Sequence, residues 1–247
     1  MEYIVEDFIE AANKLPDRET LFDYYIQTLG QFGFDTAIYT FATDHLEAGE
    51  KAGHALLSNF PSDWLDHYFE NGYESLDPVV ELAHRTNDVF TWADIKQKMN
   101  ILPQQARILN EAEESGLHSG IGIPLHGARG ELAGIGLAGD DAYRDFSQLE
   151  LAQVQIITQQ FHQKYCAFGQ SVSKELPKFT LKERDVLQWM AAGKSAYDTS
   201  MIMGISQDTV KFHRKNIYQK LNANSLTYAI VKSLRLGLIS LDKLKIT

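Results

Sequence analysis

Cysteine is almost absent from this chain, which holds a single one, Cys166, in 247 residues. That excludes an intrachain disulfide and a C-x-x-C metal clip, and it leaves Cys166 as a small apolar residue on a helix in a reducing compartment. Long hydrophobic runs are missing too. No stretch approaches the ~20 apolar residues that span a bilayer, and the opening Met1-Glu2-Tyr3-Ile4-Val5-Glu6-Asp7-Phe8 lacks the basic start of a secretory leader. The expectation is a soluble, cytoplasmic protein with no membrane partner. Internal repeats and low-complexity tracts are also lacking.

Catalytic constellations are equally scarce. Glu111, Glu113, Glu114 and His118 fit neither an H-E-x-x-H motif nor a carboxylate dyad, and the neighbours Glu113 and Glu114 point different ways on a helix, which reads as a solvated face. Gly120-Ile121-Gly122 and Gly134-Ile135-Gly136 lack the third glycine and following helix of a dinucleotide fingerprint, so they read as strand glycines beside a ligand or another backbone. His45, His54, His67, His84 and His126 show no metal-ligand spacing. No enzyme, metal site or cofactor is expected.

Positive charge is in deficit overall, with 23 Lys and Arg against 33 Asp and Glu for a formal charge of -10. The deficit is confined to one part. From Lys174 to Thr247 there are 13 basic against 6 acidic residues, a charge of +7, whereas the first 173 residues hold 10 against 27, a charge of -17. A basic tail of about 70 residues can supply phosphate contacts, and an acidic body should point away from nucleic acid. The polar stretch Gly169 to Lys178, with Gly and Pro, interrupts the apolar periodicity. It is read as a linker (169–178) between domains at 1–168 and 179–247.

In the tail, Thr180 and Glu183 make a capping box for a helix carrying Val186, Leu187, Met190 and Ala191, ended by Gly193. A second helix starts at Ser195 and stops at Gly204; Ser206 then caps a third running toward Leu221. On that third helix Val210, Ile217 and Leu221 form the inward stripe. Lys211, Arg214, Lys215 and Tyr218 share the outward face and suit a DNA major groove. Cap, turn and basic helix in that order read as a helix-turn-helix, with double-stranded DNA as partner.

The amino-terminal part alternates helix and strand. Val5, Phe8, Ile9 and Ala12, then Leu21, Tyr24, Tyr25 and Leu29, mark two helices; Thr36–Phe41 and Ala55–Phe60 read as strands; a helix covers about Ser62 to Asn71. Gly120–Leu125 and Glu131–Leu137 read as a hairpin turning at Gly127-Ala128-Arg129-Gly130, and a long helix from about Ser147 to Phe168 closes the domain. The fold class is therefore α+β: an α/β/α sandwich around an antiparallel sheet, followed by an all-α helix-turn-helix domain. Trp64, Tyr68, Tyr73, Asp77 and Pro78 interleave large aromatics with a carboxylate, running on into Val79 and Val80. They can orient the polar head of an apolar ligand, or serve as core with Asp77 capping a helix that begins at Pro78.

Both halves resemble the LuxR-type quorum-sensing regulators, the acyl-homoserine-lactone receptors of Gram-negative bacteria. The pattern falls on Trp64, Tyr68, Asp77, Pro78, Trp92 and Gly120, then on Glu183, Leu187, Gly193 and Thr209-Val210-Lys211-Phe212-His213. The resemblance implies a PAS/GAF-like sensor sandwich and a four-helix DNA-binding domain whose last helix, near Leu226 to Leu236, pairs with a second subunit. By the same resemblance Trp64 donates to a lactone carbonyl, Asp77 accepts the ligand amide N–H, Tyr68 and Trp92 wall the pocket beside Val79, and Lys211 and Lys215 face base edges, with Thr209, Phe212 and Arg214 beside them on the DNA-binding helix. It further implies a homodimer on a near-palindromic operator, stabilised by ligand filling the sensor core.

Two positions depart from the pattern. Phe60 stands where many relatives carry a tyrosine that donates to the acyl carbonyl, and Gly136 where many carry Thr or Ser. A missing hydroxyl removes about 1 kcal/mol of net hydrogen bonding, and the glycines leave room. The expected signal has a branched, aromatic or otherwise non-standard acyl group, or is not a lactone. A response regulator with the same kind of tail would need a parallel, doubly wound receiver sheet, which the hairpin and aromatic cluster do not suggest.

Overall fold

A computed structural model describes residues 3–45, 48–127, 130–140, 145–169 and 176–239. The chain divides into two compact units, and residues from Leu176 onward belong to the smaller, carboxy-terminal one. Ala128 and Arg129 of the expected hairpin turn, and most of the expected linker, lie outside the described residues.

The larger unit is built on a five-stranded sheet in the order β2-β1-β5-β4-β3: β1 Thr36–Phe41, β2 Gly53–Ser58, β3 Phe90–Thr91, β4 Ser119–His126 and β5 Leu132–Gly139. Every pairing is antiparallel. Strand pleating sends alternate residues to opposite faces. Ala37, Tyr39 and Phe41 of β1, Ile121, Ile123 and Leu125 of β4, and Ala133, Ile135 and Leu137 of β5 join one core with helices α1 (Ile4–Ala12), α2 (Arg18–Leu29) and α7 (Gln148–Gly169). Tyr25 stacks on Phe161 at 4.4 Å between ring centres, and its hydroxyl, which burial drives up from its ordinary pKa, is satisfied by Thr158 at 2.8 Å. The opposite face meets α3 (Ser62–Glu70), α4 (Pro78–Ala83), α5 (Ile95–Lys98) and α6 (Pro103–Glu114), around Trp64, Tyr68, Ile108 and Leu82. Helices thus cover both faces, as an α/β/α sandwich requires.

Strand β2 begins and ends two residues before the expected Ala55–Phe60. Asn59 is the physical reason: its side chain accepts from the Ala37 amide at 2.7 Å and donates to the Asp35 carbonyl at 2.8 Å, replacing ladder bonds and ending the strand. A bulge opposite Tyr39 to Phe41 shifts the register, with Ala55 at φ 52°, a left-handed conformation rare for alanine. Close approach explains two glycines on the helix-covered face of β4. A Cβ at Gly120 would fall inside the Trp92 indole, and one at Gly122 inside the Phe90 ring.

The carboxy-terminal unit contains α8 (Leu181–Ala191), α9 (Ala196–Met203), α10 (Gln207–Leu221) and α11 (Leu226–Arg235). Its ends are made as the sequence dictates. Thr180 and Glu183 form a capping box, Gly193 and Gly204 are left-handed at φ 75° and 63°, and the Ser206 hydroxyl accepts from the Thr209 amide at 3.1 Å. Val186, Leu187, Met190, Val210, Ile217 and Leu221 form the core. Glu183 is 3% exposed and accepts from the Lys220 ammonium at 2.6 Å. Burial acts against its ionisation, but Lys220 and the Thr180 amide outweigh it and hold the carboxyl below its usual range.

Candidate functional site

Between the sheet and helices α3, α4 and α6 lies a mostly apolar cavity of about 100 Å³. Phe60, Trp64, Tyr68, Asp77, Val79, Trp92 and Gly136, the residues expected at a ligand, all line it. Trp64 and Tyr68, one helical turn apart on α3, share the face turned to the sheet, with ring centres 5.9 Å apart. Trp64 meets its neighbours through ring contacts with His67, Tyr68 and Tyr73. The Trp92 indole N–H has no hydrogen-bond partner among the described residues.

Asp77 takes the capping role that the sequence leaves open and faces the cavity as well. As N-cap of α4 its Oδ1 accepts from the Val79 amide at 2.7 Å, while Oδ2 accepts from the Tyr68 hydroxyl at 2.9 Å. An ionised carboxylate has about four acceptor positions, and with the Val79 and Val80 amides and the Tyr68 hydroxyl acting on it one remains for a further N–H. Burial raises its pKa, against the Val79 and Tyr68 hydrogen bonds and the nearby His54. The Tyr68 phenol is driven strongly upward by burial and then by the Asp77 charge, so it stays a protonated donor.

Sequence reasoning missed the polar pair on the strand side. His54 and Thr40 both line the cavity, with His54 Nδ1 3.3 Å from Thr40 Oγ1 and its ring 5.9 Å from Tyr68. Burial lowers the His54 pKa, opposed by Asp77 and Glu74. The alternation of β1 carried a signal for Thr40, since Ile38 and Thr40 must face away from Tyr39 and Phe41; the bulge at Ala55 hid His54.

Tyr73 stands behind the cavity wall rather than on it. Its hydroxyl donates to Glu111 Oε2 at 2.6 Å, His67 Nε2 lies 2.9 Å from the same oxygen, and Arg107 Nε donates to Oε1 at 2.5 Å. The Tyr73 hydrogen bond, ahead of opposing desolvation and the help of His67 and Arg107, pulls the Glu111 carboxyl down to about 2. The solvated-face reading therefore holds for the exposed Glu113 and Glu114 and fails for Glu111, the centre of a cross-helix network.

In the carboxy-terminal unit, Lys211, Arg214, Lys215, Tyr218, Gln219 and Asn222 line one shallow groove on α10. Lys211 pairs with Asp208 at 3.3 Å, both strongly exposed, an interaction worth little in water. Phe212 is 60% exposed outside this groove, and the Thr209 hydroxyl sits 2.8 Å from that of Ser206 in the helix cap. The structure thus brings three of the five expected DNA-facing residues into one groove.

Residues 17–165 match the family described as autoinducer binding domain, and residues 177–233 match bacterial regulatory proteins of the luxR family. The chain belongs to the LuxR family of autoinducer-binding transcriptional regulators. This LuxR-family chain is 34% identical over 186 residues to the HTH-type quorum sensing-dependent transcriptional regulator RpaR of Rhodopseudomonas palustris, across 75% of each chain. It is 30% identical over 246 residues to the transcriptional activator protein SolR of Ralstonia solanacearum, across 97% of this chain and 100% of that one. Its fold is that of Escherichia coli SdiA, with a TM-score of 0.72 at 20% identity over 96% of this chain and 98% of SdiA. SdiA in complex with octanoyl-rac-glycerol gives 0.71 at 19% identity over 95% and 94%. The family is one of regulators rather than enzymes, with a small-molecule signal and DNA as partners. No helix among the described residues is long and apolar enough to cross a membrane.

Proposed function

We propose that this LuxR-family regulator binds an acyl-homoserine lactone with a branched, aromatic or otherwise non-standard acyl group in a sensor domain at 1–168. Through a linker at 169–178 the ligand then controls DNA binding by a dimer of the 179–247 domain in the cytoplasm. One observation carries the ligand reading: Trp64, Tyr68 and Asp77 converge on one corner of a mostly apolar cavity that Thr40 and His54 also line. Trp64 donates its indole N–H to the lactone carbonyl, Asp77 accepts the amide N–H, and Tyr68, Val79 and Trp92 wall the ligand. Phe60 supplies no hydroxyl to the acyl carbonyl, and Gly134 and Gly136 add no side chain to a sheet-side wall made by Ile38, Thr40 and Ile123. Such a wall suits bulk rather than a straight chain.

DNA recognition falls to α10, with Lys211, Arg214 and Lys215 in its groove and Thr209 and Phe212 at its flank. Two copies pair through α11, where Leu226, Tyr228 and Val231 are 37%, 49% and 48% exposed, and meet the half-sites of a near-palindromic operator. The ligand acts by linkage: binding the folded dimer better than the unfolded chain stabilises it by RT ln(1 + [L]/Kd).

A thermal-shift panel of lactones of varied length, branching and aromaticity tests the reading. The expected result is the largest stabilisation from branched or aromatic lactones, lost in Trp64→Phe and Asp77→Asn; the largest response from short straight-chain lactones contradicts it. The second reading, a regulator that senses a non-lactone molecule or acts without ligand, is favoured by Phe60 and by the acylglycerol bound to a protein of the same fold. Response to an acylglycerol but to no lactone selects it.

A further inference from the structure

A polar contact on the strand side of the cavity takes no part in the lactone contacts proposed above. It joins Thr40 of β1 to His54 of β2, both on the cavity wall. His54 Nδ1 is 3.3 Å from Thr40 Oγ1, and the Ala55 amide donates to the same oxygen at 3.3 Å. The register of β1 on β2 skips Thr40 at the bulge. On its other side Thr40 pairs with Gly134 of β5. Residues directly opposite in an antiparallel ladder turn their side chains to the same face, and a Cβ at Gly134 would meet only the Ile123 carbonyl, at 3.9 Å. The space beside the Thr40 hydroxyl is thus left unfilled by β5.

Counting protons shows what this pair lacks. Burial, ahead of the opposing Asp77 and Glu74 charges, holds the imidazole below its usual pKa. A neutral imidazole has one N–H and one lone pair, and a threonine hydroxyl has one O–H. With the ring proton on Nε2, Thr40 donates to Nδ1 and the Nε2–H is left over. With the ring proton on Nδ1, that N–H donates to Thr40, and the Thr40 O–H is left over beside a bare Nε2 lone pair. In either tautomer one donor has no partner among the described residues. A donor left unpaired away from water carries the full cost of its desolvation.

We propose that Thr40 and His54 form a subsite for a hydroxyl group carried on the acyl part of the signal. This subsite rests on the lactone reading given above and narrows its acyl group to a hydroxylated one. A hydroxyl oxygen accepts the leftover proton in both tautomers, and in the second its own proton goes to Nε2. A methylene in the same place does neither, and buries the donor without a partner. Tyr68 connects the subsite to the polar corner, with its hydroxyl on Asp77 at 2.9 Å and its ring 5.9 Å from that of His54. A ligand whose amide N–H is held at Asp77 therefore sends its acyl group past Tyr68 toward Thr40 and His54.

The test is calorimetric titration of the full chain with homoserine lactones matched but for one oxygen. The pairs are phenylacetyl against para-hydroxyphenylacetyl, and octanoyl against octanoyl hydroxylated at its third or its last carbon. Expected is a Kd at least about 10-fold lower for the hydroxylated member of one pair or more, the responding pair telling a phenolic from an aliphatic hydroxyl. The double variant Thr40→Val/His54→Leu, which removes both possible donors, is expected to bring that ratio below about 2-fold. A reshaped cavity weakens both members of a pair together, so the ratio separates a hydroxyl contact from a structural role. Equal affinity within every pair, or a ratio that survives the double variant, overturns the subsite and leaves the lactone reading standing. Binding of no lactone at all overturns the lactone reading, and the subsite falls with it. Should the double variant fail to fold, the ratio must drop in Thr40→Val or in His54→Leu taken singly; its persistence in both overturns the subsite.

Discussion

At the residue scale, Asp77 bears most. It holds Val79, hence the first turn of α4, and fixes the Tyr68 hydroxyl, so its substitution tests the cap and the proposed ligand contact together. Asp77→Asn keeps an oxygen for the Val79 amide, and its stability without ligand is expected to fall by only about 1 kcal/mol. The lactone-induced rise in Tm should disappear, which differential scanning fluorimetry reads directly. Trp64→Phe preserves the ring packing and removes one donor; a 5- to 100-fold rise in Kd by titration calorimetry is expected, equivalent to roughly 1–3 kcal/mol. Phe60→Tyr, which restores a hydroxyl, should shift preference toward straight-chain lactones. Gly136→Thr should do so less cleanly, because its Cβ would meet Ile38 Cγ2 at 3.0 Å.

At the scale of elements, caps and close approaches set the outcomes. Gly120→Ala drives a methyl into the Trp92 indole and is expected to lower stability by about 1–3 kcal/mol, measured by urea unfolding. Glu183→Gln breaks the pair with Lys220, and pH reveals it: a carboxyl held below its usual value stabilises the fold above its unfolded pKa. Wild-type stability should therefore fall as pH drops below about 4.5, while the Gln variant, weaker at neutral pH, should lose less over that interval. The helices of the smaller unit were legible because Thr180, Gly193, Ser195, Gly204 and Ser206 punctuate them one by one. The sheet was less so. β3 spans two residues, too short for any period, and Asn59 ends β2 through side-chain bonds that no local pattern announces. The cavity was legible as a spacing of aromatics, but His54 and Glu111 reach their partners only through tertiary packing.

At the scale of the whole molecule, opposite charges divide the labour. The acidic first part repels phosphate, so affinity for DNA rests on the basic tail and should fall steeply with salt. Lys211→Ala is expected to lower the slope of log K against log salt by about 1 in a fluorescence-anisotropy titration. A similar loss on every sequence would mark a phosphate contact, and relaxed preference at one base pair would mark a base contact.

Both margins of the five-stranded sheet are blunted. At one side β3 offers two residues; at the other the bulge at Ala55 twists β2 out of register. A long, straight margin invites another chain to add a strand and so seeds fibrous aggregates. Here neither margin presents a continuous row of donors and acceptors. Self-association is thereby steered away from backbone pairing and left to side-chain surfaces, where a change of a few residues can strengthen or abolish it without touching the fold.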